Sequence, residues 1–145
     1  MTTIESTVDV DAPPSRVWTV LTDFESYPEW NRFLPLVSGR AEAGRTLRVR
    51  VEPPGARGMT FRPRVLAADP GRRLAWLGRL VVPGLFDGRH EFLLEEREGG
   101  SRLVQRETFS GLLVRVLLDA DATRAGFEAM NAALKARAER PATAV

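Results

Sequence analysis

The apolar residues of this chain change period twice, and that change restricts what it can fold into. Ile4, Val8 and Val10 alternate through Thr3 to Asp11, the pattern of a half-buried strand. Ala12-Pro13-Pro14-Ser15 ends it. Pro14 or Ser15 then suits the first turn of a helix over Ser15 to Asp23, which brings Val17, Val20, Leu21 and Phe24 to one face. Glu25 to Trp30 reads as a second short helix, interrupted by Pro28. From Leu36 the period becomes two. Leu47, Val49 and Val51 alternate with Arg48, Arg50 and Glu52, and Phe61 and Val65 share a face across Pro63. Leu74, Trp76 and Leu80 follow, then His90, Phe92 and Leu94, then Leu103, Gln105, Glu107 and Phe109. Beyond Gly111 the helical period returns. Leu113, Val116, Leu117, Ala120, Phe127, Met130, Leu134 and Ala138 form one stripe, which Pro141 ends.

Turn chemistry at Pro53-Pro54-Gly55, Asp69-Pro70-Gly71, Pro83-Gly84 and Gly99-Gly100 separates the strands. Connections this short make neighbouring strands antiparallel. Pro63 marks an edge strand or a bulge, because proline cannot donate to a ladder. The last helix is expected to run roughly 40 Å at 1.5 Å per residue, held by packing of its stripe rather than by its own propensity. The expected layout is α+β: a helix-grip fold, a curved antiparallel sheet wrapped around a long C-terminal helix, with two short helices after the first strand. Residues 1–140 form one domain and 141–145 a frayed tail. A sheet curled around a helix leaves room for an internal cavity.

The residues also carry a resemblance. Val10-Asp11-Ala12-Pro13-Pro14-Ser15-Arg16-Val17-Trp18, Asp23-Phe24-Glu25-Ser26-Tyr27-Pro28-Glu29-Trp30-Asn31, His90-Glu91-Phe92, Glu107-Thr108-Phe109-Ser110-Gly111-Leu112 and Met130-Asn131-Ala132-Ala133-Leu134-Lys135 are similar to the pattern of the START/Bet v 1-like (SRPBCC) superfamily. The branch resembled is the bacterial one labelled polyketide cyclase/dehydrase or lipid transport, and nearly the whole chain is covered. The resemblance implies the fold. It does not choose a function, because members range from carriers through hormone receptors to aromatase/cyclases.

Composition narrows the chemistry. With no cysteine and one histidine, disulfides, cysteine-ligated metals and a multi-histidine zinc site are set aside, and no metal or other cofactor is expected. Twenty-one basic and nineteen acidic side chains leave a net charge of +2, and the arginines are spread without interleaved aromatics, so nucleic acid is not an expected partner. The N-terminus lacks an apolar signal core and no apolar run spans a bilayer, which predicts a cytoplasmic protein without membrane insertion. Phosphate-cradling glycine loops, dinucleotide fingerprints and nucleophile elbows are not found.

His90 and Glu107 stand on the apolar-facing side of their strands. A two-residue turn at Gly99-Gly100 would pair His90 with Phe109 and Phe92 with Glu107. His90 and Glu107 then lie diagonally, about 7–8 Å apart at the backbone. A carboxylate within reach would orient the imidazole for acid/base work; equally, the two can form an internal polar pair. Met59, Phe61, Trp76, Phe92, Phe109 and Phe127 are expected to line an apolar pocket with few polar anchors, or simply to pack. Arg124 interrupts the helical stripe and reads either as a counter-ion for Glu107 or an acidic ligand, or as a side chain reaching solvent. Trp30, Phe33 and Leu36 are placed at the cavity mouth as a gate or plug, and Pro83–Gly88 as a mobile lid.

Three functions are compatible with this reading. The first is binding or transport of a small apolar or aromatic ligand, lipid-like or polyketide-like. The second is a cofactor-independent polyketide cyclase, aromatase or dehydratase using His90 and Glu107. The third is a regulatory or assembly partner, dimerising through an edge strand near Pro63. The sparse polar groups favour the first.

Overall fold

The computed structural model describes residues 1–80 and 82–140; Pro141 and the tail expected to fray lie outside the described residues. Strand β1 (Thr2–Val10) leads into α1 (Pro14–Thr22), a 3-10 turn at Phe24–Ser26 and α2 (Tyr27–Trp30). Seven strands follow: β2 (Leu36–Ser38), β3 (Arg48–Val51), β4 (Met59–Phe61), β5 (Arg64–Asp69), β6 (Arg73–Arg79), β7 (Asp87–Arg97) and β8 (Gly100–Ser110). Helices α3 (Val114–Leu117) and α4 (Ala120–Ala138) close the chain.

Five strands pair in the order β1-β8-β7-β6-β5 and three in the order β2-β3-β4, all antiparallel. Pro63 sits where the chain leaves one sheet for the other, between the outermost strands β4 and β5. It is not on a free edge, however. Its carbonyl accepts the Leu47 amide at 2.8 Å, and the Val65 amide donates to the Arg45 carbonyl at 2.8 Å. These bonds, with the bridge between Thr46 and Arg64, stitch the two sheets into one curved surface around α4, the helix-grip architecture.

The C-terminal helix covers the other edge. Along α4, Arg124, Asn131 and Lys135 donate to the carbonyls of Glu5, Ser6 and Asp9 on β1. An edge strand that would otherwise offer unpaired carbonyls is thus occupied by helix side chains. Phe127, Met130 and Leu134 face inward and are buried against the sheet. Gly126 lets the helix approach, since a Cβ there would overlap the Phe33 ring.

The long helix is not continuous. Leu118 is extended (φ −84°, ψ 119°), and the Asp119 carboxylate accepts the Ala122 amide at 3.0 Å, starting α4 afresh. Aspartate at an N-cap satisfies a backbone donor that a continued helix would bond to a carbonyl, so the chain turns at Asp119. The 19 residues of α4 span roughly 28 Å rather than 40 Å. Val116, Leu117 and Ala120, expected on the buried stripe, are exposed.

Among the described residues no helix is long and apolar enough to cross a membrane.

Candidate functional site

A cavity of about 780 Å³ lies between β3–β4, the inner face of β6, β7 and β8, and the α3–α4 junction. Strand alternation decides what faces it. On β6 and β7, Trp76, Gly78, Gly88 and His90 turn inward; on β8, Glu107 and Phe109 do so. Val49, Val51, Met59 and Phe61 form the opposite wall. Phe33 and Leu34, following α2, close one side.

His90 and Glu107 are direct cross-strand partners, not diagonal ones. Arg97 pairs with Gly100, so the turn is Glu98-Gly99 and the register differs by two residues from the one expected. Direct opposition puts the side chains in contact: His90 Nδ1 lies 3.1 Å from Glu107 Oε1. The other ring nitrogen, Nε2, lies 2.9 Å from Gln105 Oε1. Gln105 Nε2 donates to Asn131 Oδ1 at 2.8 Å, and Asn131 Nδ2 donates to the Ser6 carbonyl at 3.2 Å. His90, Gln105 and Asn131 are 3 %, 0 % and 2 % exposed, so this is one buried polar chain from the cavity to β1.

Neither Gln105 nor Asn131 was singled out from sequence. The signal was there: Gln105 is a polar residue at an inward register position between Leu103 and Phe109, and Asn131 stands inside an apolar helix stripe, next to Met130.

Aromatic rings fix the imidazole. Phe92 stacks on it at 4.7 Å between centroids, with Phe127 at 5.2 Å and Trp76 at 5.3 Å. Of the side chains expected on the cavity wall, Met59, Phe61, Trp76 and Phe109, with Phe33, do border it. Phe92 and Phe127 instead lie behind the imidazole at 0 % exposure. Arg124 faces away. It stands at the rim of the helix stripe, over β1, with its guanidinium exposed on the Glu5 carbonyl, and it reaches neither Glu107 nor the cavity.

No gate of Trp30, Phe33 and Leu36 forms. Trp30 packs edge-on against Tyr27 at 5.0 Å, and Leu36 is exposed on β2. Tyr27 in turn donates its hydroxyl to the Leu21 carbonyl, and burial, aided by the Asp23 charge, pushes its phenol well above the ordinary range. Both aromatics are packing groups. The loop expected to be a lid is strapped down: the Leu112 and Leu113 amides donate to the Gly84 and Leu85 carbonyls, and the Leu80 amide to the Phe86 carbonyl. Phe86 is buried and borders the cavity.

Gly88 makes room for the carboxyl. A Cβ there would overlap Glu107 Oε2. That atom is the far end of a flexible side chain, and alanine is ordinarily the better strand residue by roughly 0.5–1 kcal/mol. Gly88→Ala is therefore expected to lower stability by no more than about 2 kcal/mol in urea unfolding, the propensity gain offsetting part of the lost hydrogen bond, while turning Glu107 off His90. The ring-nitrogen NMR signals of His90 report that loss.

Residues 1–139 match the family described as polyketide cyclase / dehydrase and lipid transport. No curated protein matches the chain in sequence. Among solved structures, protein CV1439 from Chromobacterium violaceum superposes with a TM-score of 0.77 at 20 % identity, over 96 % of this chain and 98 % of that one. The Zhui aromatase/cyclase from Streptomyces sp. R1128 gives 0.70 at 25 % identity, over 99 % of each. Ara h 8.0201 gives 0.70 at 16 % identity, over 94 % and 97 %. These likenesses hold across the whole fold.

Proposed function

The chain belongs to the polyketide cyclase/dehydrase and lipid transport family, and we propose that it binds a small neutral molecule, aromatic or otherwise apolar, with a hydroxyl turned to Glu107. One observation carries this: a cavity of about 780 Å³ lined mainly by aromatic and aliphatic side chains, with the carboxyl–imidazole pair on its β7–β8 wall and Arg50, Arg57, Thr60, Asp119 and Thr123 elsewhere on its lining. Volumes of roughly 300–1,000 Å³ with few polar anchors are typical of small-molecule sites. The anchor is acidic. Arg50 is engaged with Glu52 and Thr60, and Arg57 is exposed in the β3–β4 loop. A hydroxyl, which can donate to the carboxylate, therefore suits the inner wall better than a carboxylate. The likeness to Zhui, named an aromatase/cyclase, supports a cyclic ligand.

Native mass spectrometry of the purified protein, followed by calorimetric titration with 2-naphthol, tests the reading. A co-bound small molecule, or saturable 1:1 binding of 2-naphthol, is expected. Absence of both, with no binding tighter than about 1 mM, equivalent to about −4 kcal/mol, overturns it.

A second reading, acid–base chemistry at the same site, is favoured by the contact between His90 and Glu107. Glu107 carboxylate would take a proton from carbon beside a ligand carbonyl. The C–H bond breaks, an O–H bond forms at Glu107, the electron pair passes into the enolate, and Glu107, after exchange of its proton with water, returns a proton to the enolate carbon. This needs no co-reactant.

A further inference from the structure

The hydrogen-bond chain behind the cavity has a direction, and one backbone atom sets it. The Ser6 carbonyl can only accept. Asn131 must therefore turn its NH2 to Ser6 and its Oδ1 toward Gln105. Gln105 must then give its NH2 to Asn131, leaving Oε1 toward His90, 2.9 Å from Nε2. Reversing the two amides would set Asn131 Oδ1 against the Ser6 carbonyl, two acceptors face to face in a buried site. So Nε2 of His90 is the nitrogen that carries hydrogen. Nδ1 remains, 3.1 Å from Glu107 Oε1. A carboxylate and a bare ring nitrogen are both acceptors, so one further proton lies between them. It sits on Nδ1 beside a carboxylate, or on Glu107 beside a neutral ring.

We propose that Gln105 and Asn131 are positioning residues: oriented by the Ser6 carbonyl, they hold hydrogen on His90 Nε2, so that the mobile proton belongs to the Nδ1–Glu107 contact and Glu107 is the group that exchanges it with a bound ligand. Both ring nitrogens are occupied by protein, and the ring faces are covered by Phe92, Trp76 and Phe127. The imidazole borders the cavity but has no ring nitrogen free for a ligand; it acts through Glu107. Glu107 Oε2 is the free end, lying over Gly88, whose lack of a side chain keeps that space open. This role for Glu107 rests on the proposed ligand site, whereas the tautomer does not.

The test uses the chain's single histidine, whose ring nitrogens give unambiguous signals in a long-range 1H–15N correlation spectrum. In the unliganded wild-type protein at neutral pH, Nε2 is expected to show the shift of a protonated nitrogen. Gln105→Met removes the acceptor. The ring should then turn to hydrogen on Nδ1 alone, donating to a Glu107 carboxylate, and Nε2 should move to the shift of an unprotonated nitrogen. An unprotonated Nε2 in the wild type overturns the proposal without any variant having to fold. A Gln105→Met spectrum identical to the wild type overturns it as well. Because no ligand is present, failure of the titration with 2-naphthol would leave these spectra unchanged, and the two failures are told apart.

Discussion

Phe127→Ala is expected to lower the unfolding free energy by roughly 3–5 kcal/mol. Phe127 is fully buried on α4, edge-on to Phe33 at 5.6 Å and against the His90 ring at 5.2 Å. It joins three layers: the C-terminal helix, the segment after α2, and the sheet. The gap it leaves has little means of closing. Phe33 already lies so near α4 that a Cβ at Gly126 would overlap its ring, and the imidazole is tethered at both nitrogens. A site that cannot collapse keeps its cavity, which places the cost in the upper part of the range. Against a total of about 5–15 kcal/mol for a domain, urea unfolding should show a midpoint reduced by roughly a fifth or more. A loss under about 1 kcal/mol would mean that α4 is not anchored through this ring, since such values belong to surface positions.

The fold was legible because period and turn chemistry agree along the whole chain; the register and the helix break were not, for physical reasons that can be named. Both Gly99 and Gly100 read as turn residues, yet they serve different ends. Gly99 has φ +79° and makes the turn. Gly100 is a strand residue at which a Cβ would overlap the Val10 carbonyl, so its small size serves a close approach between strands. One sequence pattern has two causes, and choosing the wrong one slides the hairpin by two residues. A two-residue slip preserves which face each side chain occupies, which is why His90 and Glu107 were still expected on the inner face while their partners were not. The break at Asp119 has a similar origin: apolar periodicity runs through it unbroken, and only the capping carboxylate marks the restart. Arg124 stands at the edge of the stripe, where helical spacing alone cannot tell a side chain facing the cavity from one reaching β1. Gln105 and Asn131 were visible only as polar residues in apolar positions; the chain they form depends on four elements meeting, β1, β7, β8 and α4, which no local pattern encodes.

Glu107→Gln should separate the site's chemistry from its architecture. A glutamine amide can donate to Nδ1 of a neutral His90 that keeps its hydrogen on Nε2, so every hydrogen bond of the buried chain can be kept while the mobile proton is removed. Stability should change by less than about 1 kcal/mol, as expected when a hydrogen bond is exchanged rather than lost. Ligand recognition should not survive so well. A hydrogen bond to an ionised group contributes roughly 1.5–3 kcal/mol against about 1 for a neutral one, so affinity for 2-naphthol should fall about tenfold, or about 1.4 kcal/mol. If the site also moves protons, the effect is larger. Exchange of the C1 hydrogens of 2-tetralone for deuterium, followed by NMR, would require Glu107 to accept a proton from carbon and return a deuteron. Removing a positioned acid–base group lowers such rates by about 10²–10⁴-fold. The two measurements divide the readings. A tenfold loss in binding with no catalysed exchange in either protein leaves a carrier with an acidic anchor. Exchange that is present in the wild type and lost in Glu107→Gln makes Glu107 a catalytic residue. Unchanged affinity and unchanged exchange would remove Glu107 from both roles and leave the His90 pair as an internal brace of the sheet.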